Sequence, residues 1–369
     1  MNQLPRPLAF ACVLSLALSL PAFAHPGKGG GGGGSGATCN QQSEQPTPIE
    51  LGVSGSNIDS IGNGYCCTGT LGSLVQDSSG NQYVLSNNHV MVTNNGGTIV
   101  VQPGLADTYC LAIGDQDVAN LASYVPISPT GDTADAAIAQ VISGEVNTAG
   151  SILNIGAISG TVATPSLDLA VEKMGRTTCL TTGKIAAVDV TISVSYPNEC
   201  AISYSGTATY SGQIEIGGRG FSSAGDSGSL IVTQTTCPQA VGLLFAGSRT
   251  ATFANPIRSV LSALDSNSGK TLTMVGTCTS TAAVTSGTTT TGPSRSSEAI
   301  AHASDVKDRY EGDLMKLPDI LGAGVGMKNG KVVIKVYAAQ DTKRMRAAVP
   351  AQIEGVPVQV EVTGPIVAY

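Results

Sequence analysis

The sequence predicts an all-β main domain, a sandwich or barrel, followed by a small α+β unit. Three observations lead there. Short strand-like runs (YVLSNNHV, TIVVQPG, DAAIAQVI, AAVDVTISVSY, SLIVTQ, AVGLLFAG) alternate with turns rich in Gly, Asn, Ser and Pro. Charged residues make up only 12% of the chain, which has 46 glycines and no tryptophan, the profile of a turn-rich β domain with a sizeable core. Helical periodicity is absent until Ile257–Leu264 and then returns from residue 298.

Taken in order, the first 24 residues read as a secretory signal peptide. Arg6 supplies the positive start, a short apolar run follows, and Ala22-Phe23-Ala24 forms a small-x-small cleavage site. The run is too short to be a convincing membrane span, so the expected product is exported, either to the periplasm or beyond the cell. Residues 25–48 form a leader whose glycine tract, GKGGGGGGSG, has no apolar surface to bury.

Removal of the signal takes Cys12 with it and leaves eight cysteines, Cys39, Cys66, Cys67, Cys110, Cys179, Cys200, Cys237 and Cys278. An even number in an oxidising compartment predicts disulfides, with the pairing left open among 105 connectivities. No CxxC spacing favours a metal. The net charge of −7 and the lack of a Lys/Arg cluster in the main domain argue against a nucleic-acid partner.

The main domain spans 49–278. The Thr/Ser/Gly stretch 279–297 reads as a linker, and every mature cysteine precedes it. Charge changes across it as well: residues 25–297 hold 17 acidic and 9 basic side chains, whereas 298–369 hold 9 of each. In the C-terminal unit Ile300, Ala303, Val306, Tyr310 and Leu314 have helical spacing, ended by Pro318. Lys328-Asn329-Gly330 is a hairpin signal. A basic helix, DTKRMRAAV, precedes the strand Val356–Val362. The GAGVG here leads into a strand rather than a helix, so it is no nucleotide loop.

Chemistry enters with the histidines. Only three exist: His25 lies near the processing site, His302 sits among charges on the C-terminal helix, and His89 lies in LSNNHV of the main domain. Downstream, Ser227 is centred in Gly225-Asp226-Ser227-Gly228. Asp135 heads the apolar segment 136–139, which would bury its carboxylate beside an imidazole. Asp107, Asp115, Asp117 and Asp132 are its rivals. In a Ser-His-Asp hydrolase, histidine removes the serine proton and returns it to the leaving group, and aspartate fixes the imidazole tautomer. The amides of Gly225 and Ser227 would form an oxyanion hole. Asp226 reads as a brace for the serine loop.

CTGTLGSLV, LSNNHV, DAAIA, GDSGS and GLLFAG together resemble the chymotrypsin-like serine endopeptidases over roughly residues 49–265. Within that family CCTGTLGSLV, SNNHV and KMGRTTCLTTG are most similar to a bacterial secreted branch related to the plant narrow-leaf protein. The resemblance implies a double β-barrel with the site in the cleft between barrels. It assigns His89 as base, Asp135 as orienting acid, Ser227 as nucleophile and Gly225 as second oxyanion donor. It makes Phe245-Ala246-Gly247 the strand that pairs with substrate backbone, and it puts Phe221 near the base of the primary pocket. Because Phe221 is not acidic, a small or apolar side chain is expected there rather than Lys or Arg.

Three positions depart from the family pattern. Val90 stands where a cysteine would follow the histidine, so Cys66 or Cys67 must pair elsewhere or with each other. No Arg-Ile-Val-Gly-Gly activation site precedes the domain, so no new N-terminus is expected to pair with Asp226. Cys179 interrupts GRTTxxTTG.

The expectation is therefore an exported serine endopeptidase with a polypeptide substrate and no metal or organic cofactor. The competing readings are a secreted binding or structural protein with a protease fold, and a protease acting mainly on its own linker. The C-terminal unit is either an intramolecular cover for the protease or a tethered accessory domain.

Overall fold

The computed structural model describes residues 39–62, 65–111, 117–198, 202–279 and 295–369. The signal peptide 1–24, the glycine tract, His25, Asp115, Cys200 and most of the 279–297 linker lie outside them. Residues 36–369 form one compact unit.

The first sheet runs in the order Thr273–Met274, Ser73–Gln76, Gln82–Ser86, Ala137–Val141, Asp117–Tyr124, Ile99–Val101, Val53–Asn57, Gly69–Leu71. Gly69–Leu71 and Ser73–Gln76 stand far apart in that order yet are joined in the chain through Gly72, so the sheet curls back on itself into a barrel. A β-carbon at Gly72 would lie 2.0 Å from the Gly228 carbonyl oxygen, so the seam closes against the serine loop only with glycine there. The interior is filled by Leu51, Val53, Leu71, Leu74, Val84, Val100 and Ala139, the inward residues of alternating strands.

The second sheet closes more simply. Ala170–Gly175 pairs with Cys179–Tyr196 on one side and with Leu230–Thr233 on the other. Ala240–Gly247, Thr252–Pro256 and Gly206–Gly217 complete the ring back to Cys179–Tyr196. The fold class expected for the main domain, a double β-barrel, is what the chain adopts. The helix Ile257–Ser268 packs Ile257, Val260 and Leu264 into the core beneath both sheets and ends on Gly269 in the left-handed region.

The C-terminal residues extend the second sheet. Ile320–Lys328 pairs antiparallel with Cys179–Tyr196, Lys331–Ala338 pairs with Ile320–Lys328, and Val356–Val362 lies parallel to Lys331–Ala338. The helix Arg295–Leu314 covers these strands with Ala303, Val306 and Leu314. In the short helix Lys343–Ala348, Thr342 caps the start by accepting from the Met345 amide at 3.1 Å.

Three bridges join Cys39–Cys179, Cys66–Cys110 and Cys237–Cys278, and Cys67 is also disulfide-bonded. Cys179, out of pattern in GRTTxxTTG, thus ties the leader to the second barrel. Among the described residues no helix is long and apolar enough to cross a membrane.

Candidate active site

LSNNHV folds as the end of Gln82–Ser86 followed by one helical turn, Asn88–Met91. Two asparagines pin that turn. Asn87 Nδ2 donates to the Asp135 carbonyl at 2.6 Å, and Asn88 Nδ2 donates to the Val125 carbonyl at 2.7 Å. The His89 turn and the Asp135 loop are therefore also joined by the Asn87 side chain, apart from the contact between His89 and the Asp135 carboxylate.

His89 Nδ1 lies 2.5 Å from Asp135 Oδ2, and the His89 amide donates to Asp135 Oδ1 at 3.3 Å. Tyr196, from the second barrel, donates its hydroxyl to Asp135 Oδ2 at 2.8 Å and shares a 2.7 Å contact with the Tyr210 hydroxyl. Asn255 Oδ1 accepts from the Asp135 amide at 3.1 Å. Burial works against a charged His89, but the Asp135 charge, its hydrogen bond and the Tyr369 backbone oxygen outweigh it and hold the imidazole above its ordinary range. Burial, reinforced by the Asp135 charge, pushes the Tyr196 phenol far up, so it stays a donor.

Of the rival aspartates, Asp107 accepts two hydrogen bonds from Arg176, at 2.7 and 2.5 Å, and ties the two barrels together. Asp132 is engaged by the amide and hydroxyl of Ser128. Asp117 begins the strand Asp117–Tyr124.

Ser227 sits between Gly225 (φ +94°) and Gly228 (φ +90°), both in the left-handed region that favours glycine. At Gly228 a β-carbon would come within 2.1 Å of the Thr70 carbonyl oxygen. The Asp226 carboxylate points away from His89. It accepts from the amides of Thr177, Thr178 and Ser223 and from the Thr178 hydroxyl. Lys173 Nζ, wholly buried, approaches it at 3.6 Å. Burial lowers the Lys173 pKa while Asp226 opposes the shift. Asp226 is thus braced by a lysine and four hydrogen-bond donors.

His89 meets the backbone of residues 366–369 directly, and Ser227 shares the Phe245 carbonyl with it. His89 Nε2 meets the Tyr369 backbone oxygen at 3.0 Å. Ser227 Oγ donates to the Phe245 carbonyl at 3.2 Å, the same carbonyl that accepts from the Tyr369 amide at 3.3 Å. Of Phe245-Ala246-Gly247, Ala246 and Gly247 pair antiparallel with this chain's own Ala368 and Val367. The Phe245 ring turns inward, 4.8 Å from Tyr210, so it reaches the cleft only through its backbone. Phe221 is buried in an apolar cluster with Val171, Ile185 and Ile216, against which Tyr369 packs.

Tyr196, Tyr210, Asn255, Lys173 and Tyr369 escaped the sequence reading. The first four sit inside strand-like runs with nothing local to mark them. Tyr369 lies 142 residues beyond Ser227, and only tertiary pairing brings it there.

No family model matches the chain, and no curated protein matches it by sequence. Solved structures do. A glutamic acid-specific serine protease that uses a histidine triad in substrate binding aligns with a TM-score of 0.42 and 18% identity, over 61% of this chain and 100% of its own. Thermobifida fusca protease A aligns at 0.41 and 20%, over 62% and 99%. A chymotrypsin from Cellulomonas bogoriensis aligns at 0.39 and 19%, over 62% and 99%.

Proposed function

We propose that the chain is an exported serine endopeptidase, with residues 49–278 as the peptidase domain and 298–369 as an accessory domain. The observation that carries this reading is convergence. A buried His89–Asp135 pair from one barrel meets the Tyr369 backbone oxygen, and Ser227 from the other donates to the Phe245 carbonyl, which also accepts from the Tyr369 amide.

With that segment withdrawn, a change of Ser227 rotamer takes Oγ from the Phe245 carbonyl to His89 Nε2. His89 then accepts the hydroxyl proton as Oγ attacks a peptide carbonyl. Asp135 and Tyr196 fix the ring and balance the imidazolium. The amides of Gly225 and Ser227 receive the oxyanion, each worth about 3 kcal/mol in the transition state. His89 passes its proton to the leaving amine, and a water repeats the sequence to free the acid. The disulfides and the N-terminal signal support export.

The test is a fluorophosphonate probe on purified protein beside Ser227→Ala. Labelling confined to the protein with Ser227 is expected. Absence of labelling even in a Tyr369→Ala background would favour the reading as a binding protein with a protease fold.

A further inference from the structure

The strand Val356–Val362 ends at Thr363-Gly364-Pro365, and the chain then enters the cleft. Ile366 is buried, and its carbonyl accepts from the Ser195 amide at 2.9 Å. Val367 and Ala368 lie between two strands, parallel to Cys179–Tyr196 and antiparallel to Ala240–Gly247. The antiparallel register sets Ala368 opposite Ala246 and Val367 opposite Gly247.

Tyr369 follows with its amide on the Phe245 carbonyl, its backbone oxygen on His89 Nε2 and its side chain turned into the second barrel. The ring lies so close to Gly247 that a β-carbon there would come within 2.5 Å of it. The phenol donates to the Ser248 carbonyl at 2.7 Å. This is the placement of the acyl half of a bound peptide, with the backbone oxygen of its last placed residue at the base and that residue's side chain in the primary pocket.

We infer that the pocket bounded by Phe221, Gly247 and Ser248 takes tyrosine and related aromatic side chains, and that residues 366–369 are its intramolecular, substrate-like ligand.

The inference rests on the peptidase reading and names that site's substrate class and its control. The chemistry of the pocket agrees. Apolar walls take the ring, and the Ser248 carbonyl takes the hydroxyl. Burial pushes the Tyr369 phenol up to about 12, so the group remains a neutral donor at neutral pH. Asp226 is already occupied by four donors and Lys173, so it is not free to select Lys or Arg. The position before the tyrosine is an alanine, so small residues are expected there. A tethered ligand competes at an effective concentration on the order of millimolar, which closes the site to dilute substrates.

The small or apolar side chain expected from Phe221 is thereby narrowed to an aromatic one. The pocket is bounded by Gly247 as well as Phe221, and the missing side chain makes room for a ring.

The experiment compares full-length protein, Tyr369→Phe and Tyr369→Ala. Each is treated with a fluorophosphonate probe and with Val-Ala-Tyr, Val-Ala-Lys and Val-Ala-Glu chromogenic amides. Tyr369→Ala should label at least ~10-fold faster than wild type, because its tether no longer fills the pocket. Tyr369→Phe, which keeps the ring and loses the phenol donor, should fall between them. The tyrosyl amide should exceed the others by ~10-fold or more in kcat/KM. Free Ile-Val-Ala-Tyr should inhibit Tyr369→Ala competitively.

Equal labelling of all three proteins, or preference for the lysyl or glutamyl amide, would overturn this inference while leaving an active peptidase. No labelling of any of them would overturn the peptidase reading and this inference with it.

Discussion

Asp135 is completely buried, and what makes its charge tolerable is a set of donors drawn from both barrels. These are the His89 ring and amide and the Tyr196 hydroxyl. The folded state binds the His89 proton more tightly than the unfolded chain does, because the Asp135 charge and the Tyr369 oxygen outweigh the cost of burial. Stability from that proton is therefore complete below about pH 6.5 and fades as pH rises through the raised folded value. Wild type should exceed Asp135→Asn in urea midpoint by more at about pH 5.5 than at about pH 9. An advantage that does not change with pH would mean that the imidazole is neutral throughout. At this scale the sequence was informative where a residue type is rare: with one histidine in the main domain, His89 needed no structure to be singled out. Tyr196 was not legible, because nothing distinguishes its hydroxyl from that of any other strand tyrosine until the barrels pack.

Elements decide how closely the two halves of the site approach. The seam between Gly69–Leu71 and Ser73–Gln76 lies against the serine loop. Gly72 lets it come within van der Waals reach of Gly228, and Thr70 donates twice across the same gap. Its amide meets the Ser227 carbonyl at 2.7 Å and its hydroxyl the Gly225 carbonyl at 3.0 Å. Gly72→Ala should cost at least about 3 kcal/mol, since the obstacle is backbone rather than a side chain that can turn away. It should also slow probe labelling of Ser227 in a Tyr369→Ala background. A chemical denaturation curve paired with the labelling rate checks both, and an unchanged midpoint would show that the seam has slack. The strands themselves were readable from apolar runs and turns, and so were the C-terminal hairpin and helices. Their partners were not, because alternation specifies a face and says nothing about which neighbour covers it.

At the scale of the molecule, the C-terminal residues are held to the second barrel by more than strand pairing. Glu215 of the barrel is buried and accepts from Lys335 at 2.5 Å and Tyr337 at 2.8 Å, and Lys335 also reaches Glu361 at 2.7 Å. Burial raises the Glu215 pKa against the pull of Lys335. Phe253 and Tyr337 meet edge to face at 5.3 Å, and Lys307 pairs with Asp189 at 3.1 Å. Removing one partner from such a cluster leaves the other uncompensated, so Lys335→Met should cost about 3–5 kcal/mol. The double variant Lys335→Met/Glu215→Met should recover much of that loss in thermal melts. If the single variant melts like wild type, the cluster is solvated and the attachment rests on the strands alone. Outright removal of 298–369 would bare a barrel strand edge and the Glu215 carboxylate together, so substitution at Tyr369 is the cleaner way to open the site.

By itself the sequence determined the β architecture and singled out the residues whose chemistry is scarce: His89, Ser227 within its glycines, and an aspartate heading an apolar run. Composition, periodicity and rarity are local properties and can be read along the chain. Only the tertiary structure decided that Lys173 braces Asp226, that Tyr196 crosses between barrels to Asp135, and that Tyr369 lies in the cleft. Each of these depends on contact between residues far apart in sequence. Such contacts are selected by burial and hydrogen-bond satisfaction over the whole fold, and they leave no local signature.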